Sequence, residues 1–343
     1  MLREIIRNDS AVNQKDFDTF LDSLLSEKSK RSSLIALMAA LAAKPLALTD
    51  IINFVDFIER ESPKRRLSIS DKLINIVGTG GGISTFNIST SAAFVAAAAG
   101  ATVLKSGSFS YNSQCGSLDL LTSLGININI NEQHLETMLE ELHIGFVNPA
   151  MYPPLLRRIA VSIMPLDMRD IGGFINKIGP LLCPFEVHGQ VCGVSHYEYI
   201  DIFAKALQQR GIHNSIAVWA EAGMDEFSAI GHSYYASVKK DIRKVVFNPK
   251  DYGIDHADIR EIKGGTAADN LAMLQTILSA GVPQAGSDTV IINAAFMLQL
   301  AGKAATIEEG LALARCAITS GDAARLLKQA VEFSHDYAER ACT

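Results

Sequence analysis

The stretch KLINIVGTGGGISTFNISTSAAFVAAAAG, residues 72–100, constrains the fold more than any other part of the chain. An apolar run of strand length stops at Val77, and Gly78, Gly80, Gly81 and Gly82 then leave the backbone almost without side chains. Asn87-Ile88-Ser89-Thr90 restarts the chain as an alanine-rich helix that closes on Gly100. Glycine permits the positive φ of a tight turn and lets a ligand come close to the main chain. The helix start turns its unpaired N–H groups and positive dipole end toward that turn. Strand, bare turn and helix start together predict an anion cradle at the carboxyl end of a strand, where open α/β sheets bind ligands. A glycine turn capped by Ser89 for structural reasons alone is the other reading; four glycines and the Asn-Ile-Ser-Thr cap favour phosphate. The spacing is neither GxGxxG nor GxxxxGK[ST], so neither a dinucleotide fold nor a P-loop is indicated.

Around this stretch the chain changes texture. Residues 1–62 read as helices throughout: LREIIRN, QKDFDTFLDSLLSE, KRSSLIALMAALAA and LTDIINFVDFIER space apolar residues at i, i+3, i+4 and i+7. Lys44-Pro45 ends one helix and Thr49-Asp50 reads as the start of the next. The expected division is a small helical domain over 1–66, with part of 166–185 as a candidate addition, and a large α/β domain over 72–343. Ser62-Pro63 and Lys64-Arg65-Arg66 form the linker. Within the large domain, ATVLK and NSIAVWAE read as further strands, and SLDLLTSLG, YIDIFAKALQQRG, TAADNLAMLQTILSAG and DTVIINAAFMLQLAGKA as helices. Alternation of this kind implies a largely parallel central sheet.

Two further features bear on an anionic ligand. Lys105 ends the second strand and would bring an ammonium beside the cradle. In GMDEFS, Asp225 and Glu226 are adjacent carboxylates after a strand, a donor type that suits Mg²⁺ together with substrate phosphates. With a net charge of −6 the chain lacks the basic balance of a general nucleic-acid binder. Its five cysteines form no CxxC pair, and its eight histidines show no metal-ligand spacing. No apolar run reaches the roughly 18 residues that span a bilayer, and the N-terminus lacks a signal-peptide core, so the expected location is cytoplasmic.

VGTGGGISTFNISTSAAFVAAAAG, LKSGSFSYNSQCGSLDLLTSLG, NKIGPLLCP, GMDEFSAIG, KGGTAADN and INAAFMLQLAGKA together resemble the anthranilate phosphoribosyltransferases of tryptophan biosynthesis, from end to end of the chain. The resemblance implies a helical domain used for homodimerisation and an α/β domain. It also implies Mg²⁺-dependent transfer of phosphoribose from phosphoribosyl pyrophosphate to an aromatic amine, with release of pyrophosphate. Carried over by position, Gly78, Gly80 and Gly81 would lie along the pyrophosphate, and Thr85, Asn87, Ser89 and Thr90 would bind phosphates. Lys105, acting electrostatically, Ser113 and Ser117 would complete the donor site; Ser89, Asp225 and Glu226 would hold the metal.

The departures from the family pattern cluster. The family loop reads GTGGDG, whereas here the Asp is missing and the loop is one residue shorter. The family's Lys-His-Gly-Asn-Arg segment reads KSGSF, with Ser106 for the histidine, Ser108 for the asparagine and Phe109 for the arginine. The family arginine that contacts the anthranilate carboxylate falls on Gly172, leaving Arg169 as the substitute, with Arg157 and Arg158 as further candidates. An acceptor pocket of Ser106, Gly107, Ser108, Phe109 and Arg169 offers hydroxyls and an aromatic face. That composition implies altered acceptor choice; drift in a non-catalytic paralogue and a nucleoside phosphorylase-like enzyme are the other readings.

Overall fold

The computed structural model describes residues 2–7, 13–26, 31–107, 116–166, 171–280 and 284–340. In chain order the helices α1–α4 cover Leu2–Arg7, Gln14–Ser26, Arg31–Ala43 and Leu48–Glu61. Then come β1 (Leu73–Gly78), α5 (Ile88–Ala98), β2 (Thr102–Lys105), α6 (Ser117–Ser123), α7 (Glu132–Leu142), β3 (Ile144–Phe146), α8 (Pro154–Ile163) and α9 (Gly173–Ile178). The remainder is β4 (Gly189–Gly193), α10 (Tyr199–Gln209), β5 (Ser215–Ala220), β6 (Ser233–Val238) and β7 (Ile242–Phe247). Four helices close the chain: α11 (Ala267–Ala280), α12 (Ala285–Leu300), α13 (Ile307–Thr319) and α14 (Asp322–Arg340). The chain divides into two compact units, Met1–Arg65 with Ala150–Pro184, and Arg66–Pro149 with Phe185–Thr343.

The first unit is helical. In α4, Ile51, Phe54, Val55 and Ile58 follow the i, i+3, i+4, i+7 pattern and are all buried. Phe54 packs edge-on to Phe17 of α2 (ring centroids 6.3 Å) and to Phe174 of α9 (5.3 Å). Burial of each such side chain contributes about 1.5–3 kcal/mol. Helix α4 begins at Leu48 after an N-cap at Ala47, one residue before the expected Thr49-Asp50 start. Asp50 lies in its first turn and pairs with Lys44 at 2.6 Å across the Pro45 break.

The second unit is built on one seven-stranded sheet of order β3-β2-β1-β4-β5-β6-β7. The first five strands are parallel, and β6 and β7 add an antiparallel wing. Strand β1 is buried at every residue except Gly78, as strands covered on both faces are. Strands β3, β4, β6 and β7 are not among those expected from the sequence. β3 is only three residues long, and GQVCG carries two glycines and a glutamine, so neither gives a period-2 signal. On the edge, β7 exposes Arg243 and Lys244, charges that blunt pairing with another strand. Helix α12 is apolar on nearly all sides and buried along its length, packed against α5 and α13. The connections run one way from β1 through β2 to β3 and the other way from β4 to β5, so the strand order reverses between β1 and β4. At that switch, Gly78 stands opposite Gly193 in register.

Candidate active site

All the groups described next belong to the second unit. Strand β1 runs one residue past the expected Val77, and beyond Gly78 the turn is made by Gly80 and Gly81, at φ +64° and +89°. Side chains rarely adopt that backbone, and an added Cβ at Gly80 would meet nothing within 4 Å, so the turn leaves open space above it. Its N–H groups are engaged from one side: Gly80 N–H donates to Asp225 Oδ2 at 2.9 Å and Ile83 N–H to the Gly223 carbonyl at 2.9 Å. Thr79 Oγ1 accepts from Ser195 N–H at 2.9 Å, which ties the turn to the segment after β4.

The rim of the turn is anchored to the segment 262–270. Gly264 N–H donates to the Ser84 carbonyl (3.0 Å), Phe86 N–H to the Ile262 carbonyl (3.2 Å), and Thr85 forms an isolated bridge with Lys263. Helix α5 then starts with Asn87 as its N-cap, but the Asn87 side chain does not cap the helix. Its Oδ1 accepts instead from Nδ2 of the buried Asn270 at 2.9 Å, while Asn270 Oδ1 accepts from Gly265 N–H at 2.8 Å. Ser89 is the second residue of the helix, which removes it from the capping role of the purely structural reading. Thr90 is fully buried, and its Oγ1 has no hydrogen-bond partner among the described residues.

Asp225 and Glu226 follow β5, side by side beneath the turn. A Cβ on Gly78 would fall on the Asp225 carboxylate, and one on Gly193 on the Asp225 main-chain carbonyl; glycine at both positions is what lets this loop close on the sheet. Burial raises the Asp225 carboxyl, opposed by the Gly80 N–H, and burial together with the neighbouring Asp225 charge holds Glu226 well above the usual carboxylate range. Among the described residues Glu226 Oε2 is buried without a hydrogen-bond partner.

Lys105, at the end of β2, is buried at 4% exposure, and its Nζ donates to the Ser106 carbonyl at 2.6 Å. Burial pulls the ammonium down to about 8, against the attraction of Glu226 and Asp225. The next residues are fixed by a buried polar chain: Ser106 N–H donates to Asn75 Oδ1 (3.3 Å) and Asn75 Nδ2 to Gln190 Oε1 (3.1 Å). Among the described residues Ser106 Oγ is buried without a hydrogen-bond partner, and Gly107 lies against Ser117 Oγ, where a Cβ would collide.

The carboxyl oxygens of Asp225 and Glu226 under an open glycine turn fit a hard divalent cation, and the Lys105 ammonium beside them suits the anion that cation would carry. Among the described residues no group of three or more His, Cys, Asp or Glu side chains is placed to hold a metal by itself, so the remaining ligands would come from substrate and water.

Residues 70–324 match the family described as "Glycosyl transferase family, a/b domain". An anthranilate phosphoribosyltransferase from Desulfatibacillum aliphaticivorans is 32% identical over 338 residues, 98% of each chain. The chain belongs to the anthranilate phosphoribosyltransferase family. A relative of the same name from Verminephrobacter eiseniae is 36% identical over 305 residues, 88% of each chain. The crystal structure of anthranilate phosphoribosyltransferase from Thermus thermophilus matches with a TM-score of 0.83 at 28% identity, covering 97% of this chain and 99% of that one. The fold is also that of the Saccharomyces cerevisiae enzyme solved in complex with PRPP and Mg, with a TM-score of 0.83 at 22% identity over 98% and 97% of the two chains.

For this member of the anthranilate phosphoribosyltransferase family, the structure brings Gly78, Gly80, Gly81, Lys105, Gly107, Ser117, Asp225 and Glu226 into one neighbourhood through the contacts above. Thr85 and Asn87 flank the turn on the 262–270 side. Among the described residues no hydrogen bond joins Ser89 to either carboxylate. Ser108, Phe109, Ser113 and Arg169 lie outside the described residues. Gly172 caps α9 in the helical unit, and Arg157 and Arg158 are exposed on α8 of that unit. Sequence reasoning missed Asn75, Gln190, Ser195, Asn270, Thr289 and Asn293 as site-building residues. For Asn75 a signal existed, since it is an amide inside an otherwise apolar strand.

Proposed function

We propose that the chain binds phosphoribosyl pyrophosphate over the turn of Gly78, Gly80 and Gly81 and transfers its phosphoribosyl group to anthranilate or a related aromatic amine. The observation that carries this reading is the buried Asp225–Glu226 pair, hydrogen-bonded to the glycine turn through Gly80 and facing Lys105. The start of α5, with Thr85, Asn87, Ser89 and Thr90, binds the phosphates, which lie along the bare main chain of the turn. Lys105 supplies positive charge beside the leaving diphosphate, and Ser117 completes the donor site. Ser106 and Gly107, just past the end of β2, lie on the acceptor side. The acceptor nitrogen forms a bond to ribose C1 as the bond from C1 to the pyrophosphate oxygen breaks, and the ammonium so formed gives its proton to solvent. Positive charge on C1 and negative charge on the departing diphosphate peak together, so preorganised donors accelerate the step more than proton transfer does. Asp225 and Glu226, with Ser89, would hold Mg²⁺, which when bound supplies charge neutralisation of the leaving group.

The test is pyrophosphate release and anthranilate consumption by the purified chain with Mg²⁺. Asp225→Asn and Glu226→Gln are expected to lower kcat/KM by roughly 100-fold or more. Unchanged turnover in both variants would overturn the assignment of the cation site. No thermal stabilisation by phosphoribosyl pyrophosphate, with or without Mg²⁺, would overturn donor binding altogether.

We further infer a homodimer formed through the helical unit, supported by Val161, Met164 and Leu166, apolar residues 58%, 59% and 43% exposed on that unit. A cytoplasmic location is supported by free thiols at Cys183, Cys192 and Cys316. Light scattering of the pure protein checks the first, and Val161→Glu is expected to shift it toward monomer.

A further inference from the structure

Helix α12 is apolar and buried, yet Thr289 and Asn293 sit on one face of it, four residues apart, each with no exposed surface. Both point at the loop that follows the acid pair. Asn293 Oδ1 accepts from Phe227 N–H at 3.1 Å, and Asn293 Nδ2 donates to the Phe227 carbonyl at 2.8 Å and to the Thr289 carbonyl at 2.8 Å. Thr289 Oγ1 accepts from Ala229 N–H at 3.1 Å. Only one orientation of the Asn293 amide satisfies both groups of Phe227, because an oxygen must face the N–H and a nitrogen the carbonyl. The Phe227 ring stacks on Phe296 of the same helix, with centroids 3.6 Å apart and planes 5° apart.

These contacts do more than dock a loop. A side chain that reads both the N–H and the carbonyl of one residue fixes the planes of the two peptides flanking it. The first of those peptides joins Glu226 to Phe227, so its orientation sets where the Glu226 carboxylate starts from. From the other side, Asp225 is held by Gly80 N–H and by the close approach that Gly193 allows. The acid pair is therefore clamped between the glycine turn and α12.

We propose that Asn293 and Thr289 are positioning residues that aim Asp225 and Glu226 at their divalent cation. The inference rests on the reading of that pair as a cation site. Groups that orient metal-binding carboxylates are worth roughly 10–100-fold in metal affinity, whereas a contact that only anchors the helix changes stability alone.

The experiment measures Mn²⁺ binding to the full chain, saturated with phosphoribosyl pyrophosphate and without acceptor, by the paramagnetic resonance signal of free Mn²⁺. Thr289→Val keeps the side-chain shape and removes the acceptor; Thr289→Ser keeps the hydroxyl. Asn293→Leu keeps the volume and removes all three bonds. Thr289→Val and Asn293→Leu are expected to weaken Mn²⁺ binding roughly tenfold or more, while Thr289→Ser stays within about twofold. Should Asn293→Leu fail to fold, the Thr289 pair decides. If Thr289→Val lowers the melting temperature but binds Mn²⁺ like the parent, while Glu226→Gln abolishes binding, the clamp is structural only and the proposal falls. If Glu226→Gln leaves Mn²⁺ binding unchanged, the cation reading falls and takes the proposal with it.

Discussion

The main-chain N–H of Gly80 and the carboxylate of Asp225 are joined by a hydrogen bond of 2.9 Å across 145 residues of sequence. It links the turn after β1 to the loop after β5, and it requires the loop to lie almost on the sheet. Gly78 and Gly193, facing each other across β1 and β4, provide that approach.

Alanine at these two glycines separates geometry from stability. In Gly193→Ala the new Cβ meets the Asp225 main chain, which cannot rotate away. We expect a loss of about 1–3 kcal/mol in urea unfolding, together with loss of turnover. In Gly78→Ala the Cβ meets the Asp225 side chain, which can move. We expect stability within about 1 kcal/mol of the parent and a raised Mg²⁺ requirement. Equal effects in both assays for the two variants would contradict this division.

Asn270→Ala removes the partner of both Asn87 Oδ1 and Gly265 N–H. The loss of about 1 kcal/mol of positioning corresponds to roughly a five- to tenfold rise in KM for phosphoribosyl pyrophosphate. The expected signature in steady-state kinetics is a change in KM with kcat nearly preserved.

Lys105 makes stability depend on pH in a stated direction. Its folded value of about 8 lies below the ordinary lysine value of 10.5, so between these the unfolded chain binds one more proton than the native chain. Stability contributed by this group therefore rises as pH increases from about 8 toward 10.5. Below about 8 the full cost of burying the ammonium is present. Urea titrations without divalent cation should show that upward slope, and Lys105→Met should flatten it while abolishing activity. Donor affinity should move the opposite way, weakening above about pH 8 as the positive charge is lost.

Asp288, 3% exposed at the start of α12, pairs with Arg315 and His256, each at 2.8 Å. Asp288→Ala removes the shared anion. Because Arg315 and His256 stay solvent-accessible, we expect a loss of about 1–3 kcal/mol, read as a shift of the urea midpoint with the m-value unchanged. A shift under about 1 kcal/mol would show that the pairs are solvent-screened.

The helices of residues 1–62, strands β1, β2 and β5, and the glycine turn are written in local patterns: periodicity, apolar runs and punctuating glycines act within a few residues. The expected site residues Gly80, Lys105, Asp225 and Glu226 were legible for the same reason, since each ends or follows a strand of a parallel sheet. Strands β4, β6 and β7 were not, because GQVCG owes its place to burial between β1 and β5, and the antiparallel wing to pairing partners distant in sequence. The Asn87 side chain illustrates the limit: its position reads as a cap, yet its bond goes to Asn270, 183 residues away.

What the sequence by itself determined is the helices of residues 1–62, strands β1, β2 and β5, and the bare glycine turn after β1. Only the tertiary structure decided that α12 clamps the acidic loop through Thr289 and Asn293 and that Gly193 admits Asp225 to the turn. Local propensity is set by each residue's own steric and hydrogen-bonding options. Partnership between buried polar groups is set by which elements the core brings together, and no local pattern records that.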